Sequence, residues 1–282
     1  MPARALQTGR HADNREAPKR STGHASALAR VTTGVCVLLL CQCASAPYRG
    51  HPELQWHGRF DLYVYRPQGP AQRLALLLSG DGGWSSVLGA IARRLTASGT
   101  LVAGIDVRHL LASYRVDSAG CVDPGADLAE LSRYLQEHYG LGRAAPVVIG
   151  HSAGATLAFV ALARSPAGTF TGALTLSFCA DLELVKPLCP APAVHSVATS
   201  SGVRLLPPPA LPAPWIALHG LEDEVCPAPE ARTFAGAISG VRFVALPGVT
   251  HAYHHMGRWW SQFAAGYRQL AALPAAPAAT MP

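Results

Sequence analysis

Hydrophobic positions along this chain fall into short blocks that switch between two periods. Phe60–Tyr65 (FDLYVY) alternates apolar and polar, which predicts a half-buried strand. Leu74–Ser79 (LALLLS) is a solid apolar run, the mark of a strand buried on both faces. Trp84–Ala97 then has helical spacing, Leu101–Ile105 reads as a strand, and Pro124–Tyr139 as an amphipathic helix. The rhythm continues with a strand at Pro146–Ile149, a helix at Ala153–Ala163 and a strand at Phe170–Phe178. It closes with strands at Pro214–His219 and Val241–Leu246, and helices at Ala228–Ile238 and Arg258–Leu273. Alternation of this kind predicts an α/β fold, a mostly parallel central sheet with helices on both faces.

Two stretches break the rhythm. Residues 179–212 are proline-rich and read as an insertion between two core strands, over the carboxyl edge of the sheet. Residues 274–282 (PAAPAATMP) read as a disordered tail. The predicted organisation is a leader over 1–46, one α/β domain over 47–273 that contains the insertion, and that tail.

Gly150-His151-Ser152-Ala153-Gly154 matches G-x-S-x-G between an apolar strand and an apolar helix. That is the setting a nucleophile elbow requires, and it makes Ser152 the candidate nucleophile. A serine hydroxyl needs a base and a group to orient the base. The elbow implies the α/β-hydrolase fold, in which the acid and then the histidine follow the serine. The acid loop is Leu221-Glu222-Asp223-Glu224, with Asp223 favoured and Glu222 and Glu224 as rivals. The histidine loop is VTHAYHH, with His251 favoured and His254 and His255 as rivals. Two backbone N–H groups must meet the oxyanion: Ala153 supplies one, and Asp81, or alternatively Gly82, supplies the other from SGDGGW. Asp81, Gly82, Trp84 and His151 are placed at the substrate. A carboxylate at Asp81 would favour a substrate bearing a cation. Asp106 ends the strand LVAGID and has a structural or pocket role.

Charge and cysteines add the compartment. The chain carries a net +6, but its first 30 residues hold six basic and two acidic side chains, leaving only +2 for the rest. With no basic stripe interleaved with aromatics, nucleic-acid binding is not expected. Val31–Ala46 (VTTGVCVLLLCQCASA) follows the basic stretch with an apolar run ending in small residues, the shape of a signal peptide. It implies export to the periplasm, by simple cleavage, by lipidation at Cys43, or as an uncleaved anchor. Beyond the leader remain Cys121, Cys179, Cys189 and Cys226, which allow three disulfide connectivities or free thiols. The close spacing of Cys179 and Cys189 suits a clip within one loop. No cysteine or histidine grouping has metal-ligand spacing, and no organic-cofactor motif is present, so neither is expected.

Taken together, LLLSGDGGW, LVAGIDVRHLL, PVVIGHSAGA and LPGVTHAYHH resemble the AcvB/VirJ family of bacterial virulence-associated proteins, over roughly Leu74 to Trp260. The resemblance implies a periplasmic α/β-hydrolase-like protein associated with type IV secretion and with hydrolysis of aminoacylated phosphatidylglycerol. It maps the family nucleophile onto Ser152 and the family histidine onto His251. Its implied partners are an aminoacylated phospholipid or other ester substrate, the periplasmic surface of the inner membrane, and secretion-system components. VTHAY stands where a tighter Gly-Gly-His-His pattern is expected. Two other readings stand beside this one: a non-catalytic periplasmic adaptor or chaperone for secretion substrates, and a generalist acyl esterase.

Overall fold

The computed structural model describes residues 54–57, 60–142, 144–191 and 194–273. The predicted leader and tail lie outside these residues.

Eight strands form the central sheet: β1 (Leu54–Trp56), β2 (Phe60–Tyr65), β3 (Arg73–Leu78), β4 (Thr100–Ile105), β5 (Val147–His151), β6 (Gly172–Leu176), β10 (Trp215–Gly220) and β11 (Arg242–Leu246). Their spatial order is β1-β2-β4-β3-β5-β6-β10-β11. The sheet is mixed: β1 pairs with β2 and β2 with β4 antiparallel, and every other pairing is parallel.

The solid apolar run in β3 divides between the two faces. Leu74, Leu76 and Leu78 join one core cluster, while Ala75 and Leu77 join the other. Successive side chains of a strand point to opposite faces, so a run without polar breaks must be covered twice. The first face is covered by α2 (Val107–Val116), α3 (Pro124–His138), α4 (Ala153–Arg164) and α5 (Ala228–Gly236). The second is covered by α1 (Ser86–Thr96) and α6 (Trp260–Ala271). All of Gly154–Ala163 in α4 is buried, which is why that helix reads apolar all round.

The predicted core strands and helices are present, each within one or two residues of its expected ends. Several features went unread, among them the short edge strand β1. Helix α2 follows β4 directly, started by Asp106, whose side chain accepts the Arg108 N–H at 3.0 Å. The proline-rich insertion builds a sheet of its own: β7 (Asp181–Glu183), β9 (Gly202–Leu206) and β8 (His195–Ala198), paired antiparallel in that order.

The cysteines correct another expectation. Cys179 and Cys189 are not joined to each other; Cys121 pairs with Cys189 and Cys179 with Cys226. Each bond ties the insertion to the body, at the loop before α3 and at the loop after β10. Beside the first bond, Val122 N–H donates to the Pro187 carbonyl at 2.9 Å and Cys189 N–H to the Val122 carbonyl at 2.9 Å. These backbone contacts set the register that brings Cys189 to Cys121.

Candidate active site

Strands β3, β5, β10 and β11 run parallel, so the loops at their carboxyl ends gather at one edge of the sheet. Open α/β sheets place their ligands at that edge. Here it holds the SGDGGW loop after β3, Ser152 after β5, Asp223 after β10 and His251 after β11.

Ser152 occupies the sharp turn between β5 and α4 at φ 55 and ψ −125. A serine in that conformation is strained and must be held there by its surroundings. Two glycines make the turn sterically possible. A Cβ on Gly150 would lie 2.0 Å from the Gly154 carbonyl oxygen, and one on Gly154 would lie 2.1 Å from the Ser79 carbonyl oxygen. Ser152 Oγ does not cap α4. It lies 3.0 Å from His251 Nε2 instead.

The far side of the imidazole meets the acid. His251 Nδ1 lies 2.9 and 3.1 Å from the two carboxylate oxygens of Asp223. Burial by itself would raise the Asp223 pKa. Hydrogen bonds from His251, from the Ser177 hydroxyl and from the Cys226 N–H outweigh it, and the carboxyl is lowered to about 2. An ionised carboxylate only accepts, so Nδ1 carries the proton and Nε2 is left to accept from the serine hydroxyl. Of the rivals, Glu222 accepts the Gly248 N–H at 2.9 Å on the exposed side of the loop. Glu224, His254 and His255 are exposed and do not join this chain of hydrogen bonds.

Asp223 is seated by groups that were not foreseen. Ser177 Oγ donates to Oδ2, and the N–H groups of Val225 and Cys226 donate to Oδ1 at 3.0 and 2.9 Å. Ser177 follows β6 with a positive φ of 54, a conformation that no local motif announces. Beneath the loop, the buried His219 Nε2–H donates to the Cys226 carbonyl at 2.7 Å. Burial lowers the His219 pKa, which keeps the ring neutral beside the acid.

The SGDGGW loop is braced from behind. Trp84 N–H donates to the buried Asp106 carboxylate at 3.2 Å, and Gly83 N–H donates to the Gly80 carbonyl at 3.0 Å. Asp106 thus has the structural role. Burial opposes its ionisation, but bonds from Arg108 and the Trp84 N–H prevail and hold its pKa below the usual range. Ala153 N–H heads α4, where no intrahelical acceptor exists. Asp81 and Ala153 both line the cleft at Ser152, with the Asp81 side chain exposed.

Trp84 and His151 are corrections. The Trp84 indole stacks on Tyr63 with centroids 4.8 Å apart and donates to Tyr65 Oη at 3.2 Å. It rests on Gly104, where an added Cβ would fall 2.2 Å from the ring. That close approach seats the ring against β4. The His151 ring packs on His251 and Tyr253, and its Nε2 lies 2.8 Å from the His251 carbonyl oxygen. Burial lowers its pKa. His151 therefore braces the histidine loop and, like Trp84 and Gly82, does not line the cleft.

The cleft has a volume of about 560 Å3 and is walled by Leu111 of α2, by Val225 and by residues of the insertion, including Asp181, Leu182 and Glu183. Three carboxylates, Asp81, Asp181 and Glu183, line it. Among the described residues that line it, none is lysine or arginine.

Residues 72–177 match the profile of a family described as "Bacterial virulence protein (VirJ)". The chain is VirJ-like over this stretch. The VirJ-like segment holds the SGDGGW loop, Asp106, Ser152 and Ser177, while Asp223 and His251 lie beyond it. No curated protein matches the chain. Among solved structures, it is similar to Est1E from Butyrivibrio proteoclasticus with bound ferulic acid, at 16% identity and TM-score 0.52, covering 75% of this chain and 94% of that one. It is similar to the esterase domain of a Rhodothermus marinus protein at 15% identity and TM-score 0.50, covering 75% and 92%. A puromycin-hydrolyzing peptidase from Mycobacterium tuberculosis matches at 17% identity and TM-score 0.54, covering 76% of this chain and 37% of that one. At such identities the likeness is one of fold, and the fold is that of the α/β-hydrolases.

Proposed function

We propose that the protein is an exported serine hydrolase that cleaves carboxylic esters, with the aminoacyl ester of a phospholipid head group as its substrate. The observation that carries this reading is the hydrogen-bonded series Asp223–His251–Ser152, set at the start of α4 beside an open cleft. Ser152 Oγ attacks the ester carbonyl while His251 Nε2 takes its proton. Asp223 holds the imidazole in orientation and stabilises the imidazolium. The N–H groups of Ala153 and Asp81 receive the oxyanion. Collapse breaks the bond to the alcohol, which leaves with the proton from His251. Water, deprotonated by the same nitrogen, then releases the acid and regenerates Ser152.

The three carboxylates of the cleft support a cationic substrate such as an α-ammonium ester. Asp181 is partly neutralised by Arg204, whose Nη2 lies 2.6 Å away, so Asp81 and Glu183 supply most of the field. The two disulfides support a life in an oxidising compartment, as the leader implies.

The test incubates purified mature protein and its Ser152→Ala variant with lysyl- and alanyl-phosphatidylglycerol in mixed micelles and follows amino acid release. Release by the wild type alone is expected. If a fluorophosphonate labels only the wild type but neither protein releases amino acid, the hydrolase stands as a generalist and the aminoacyl substrate does not. Absence of labelling on folded protein would leave the non-catalytic adaptor. Asp81→Asn tests the field: it should narrow the preference for aminoacyl over neutral acyl esters several-fold, and an unchanged preference would remove Asp81 from substrate selection.

A further inference from the structure

A second cavity, of about 780 Å3, adjoins the catalytic cleft and shares four of its wall residues: Cys179, Asp181, Val225 and Cys226. Its floor is aromatic. Phe178 and Phe234 are buried, lie 4.9 Å apart, and pack into Phe159 and Trp215, which fixes them in place. Leu205 and Pro207 of the insertion form the facing wall. At the rim two aliphatic side chains stand in solvent, Val225 at 66% and Leu206 at 42% exposure.

We propose that this trough binds an unbranched alkyl chain attached to the substrate, which crosses from Ser152 over Val225 and the Cys179–Cys226 bond. The proposal rests on the reading of Ser152 as the nucleophile. The charges at the trough are few. Asp181 and Arg204 satisfy each other at its junction with the cleft, and Glu230 projects from α5. Apart from Thr233, whose hydroxyl donates to the Pro229 carbonyl, and the Cys179–Cys226 bond, the other lining side chains are aromatic, aliphatic or proline, which reward hydrocarbon in proportion to the area it removes from water. The four shared wall residues decide the occupant. Whatever lies in the trough adjoins the scissile bond, so it belongs to the molecule being cleaved. The chain could enter from the acyl side or from the alcohol side of the ester; both present the same hydrocarbon.

The experiment uses two ester series at monomeric concentrations: p-nitrophenyl esters from acetate to decanoate, and acetates of ethanol to decanol. In at least one series kcat/KM should rise about two- to fourfold per added methylene until the trough is full, from the transfer free energy of a buried CH2. The series that rises identifies the side. Leu206→Asp and Ala237→Trp, both at solvent-exposed positions of the trough, should flatten the rise. A flat response in both series, or a rise that both variants leave intact, overturns the proposal. A binding arm separates this outcome from failure of the hydrolase reading. With the Ser152→Ala protein, decyltrimethylammonium should bind about 100-fold or more tightly than tetramethylammonium by calorimetry, and the trough variants should remove that advantage. Equal affinity for the two cations sinks the trough whatever the enzyme hydrolyses. A chain-length advantage in a protein that cleaves no ester would sink the hydrolase reading alone.

Discussion

Replacing Ser177 with alanine removes one donor from the Asp223 carboxylate and leaves the other three: the N–H groups of Val225 and Cys226, and His251 Nδ1–H. In the folded protein the Asp223 pKa is lowered to about 2 from 3.8. A depressed carboxyl stabilises the fold above its unfolded pKa, and that stability is lost as pH falls through the folded pKa. The whole shift corresponds to about 2 kcal/mol at neutral pH. A hydrogen bond to a charged acceptor contributes ~1.5–3 kcal/mol, so losing the serine donor should remove most of it. The expected Ser177→Ala protein is less stable at pH 7 by about 1.5 kcal/mol, a fall in Tm of roughly 3–6 °C for a domain of this size. The difference should shrink as pH falls from 4 through the folded pKa of about 2, below which Asp223 is protonated in both proteins and the difference vanishes. Ser177→Gly is the control, because it also relieves the positive φ and should recover part of the neutral-pH loss without restoring the acid dependence. The assay is thermal unfolding from pH 2 to 7, read with kcat/KM for a p-nitrophenyl ester. A difference between wild type and Ser177→Ala that stays constant across that range would refute the reasoning, since it would mean that Ser177 acts through packing alone.

The two disulfides should separate in function. By loop-closure entropy each contributes up to ~4–5 kcal/mol, but of the four bonded cysteines Cys226 alone donates to Asp223. Cys179→Ser/Cys226→Ser should therefore lower kcat well beyond Cys121→Ser/Cys189→Ser at a temperature where both are folded, and equal losses would show that the acid loop does not depend on its tether. Gly154→Ala sets a Cβ 2.1 Å from the Ser79 carbonyl oxygen, so fluorophosphonate labelling of Ser152 should be lost or slowed by orders of magnitude; normal labelling would mean that the turn opens freely. Trp84→Ala should destabilise the fold by ~3–5 kcal/mol while leaving the ratio of kcat/KM between short esters unchanged, and an altered ratio would return the indole to the substrate.

Ser152 was legible because a strand, a G-x-S-x-G turn and an apolar helix are all local signals. The acid and the histidine were legible only as loops. Offset from the strand end favoured Asp223 among three successive acidic residues and His251 among three histidines within five positions, but the offset alone does not exclude the rivals. They differ in direction. The β10–β11 pairing places Gly220 beside Leu246, and Glu222 N–H bonds to the Val249 carbonyl, so Asp223 turns inward towards His251 while Glu222 turns outward to Gly248.

The sequence by itself determined the layered α/β fold, the candidate nucleophile and the order in which its candidate partners follow along the chain. Each of these follows from hydrophobic period, glycine sterics and chain order, which are properties of neighbouring residues. Tertiary structure decided that the favoured Asp223 and His251, and not their rivals, meet Ser152, that Ser177 and His219 seat the acid loop, and that Trp84 belongs to the packing against β4. It also decided which cysteines pair. These outcomes depend on side chains from distant strands arriving at one edge of the sheet. A pairing register that inverts every side chain when it slips by one residue is set by the whole sheet and not by any single segment.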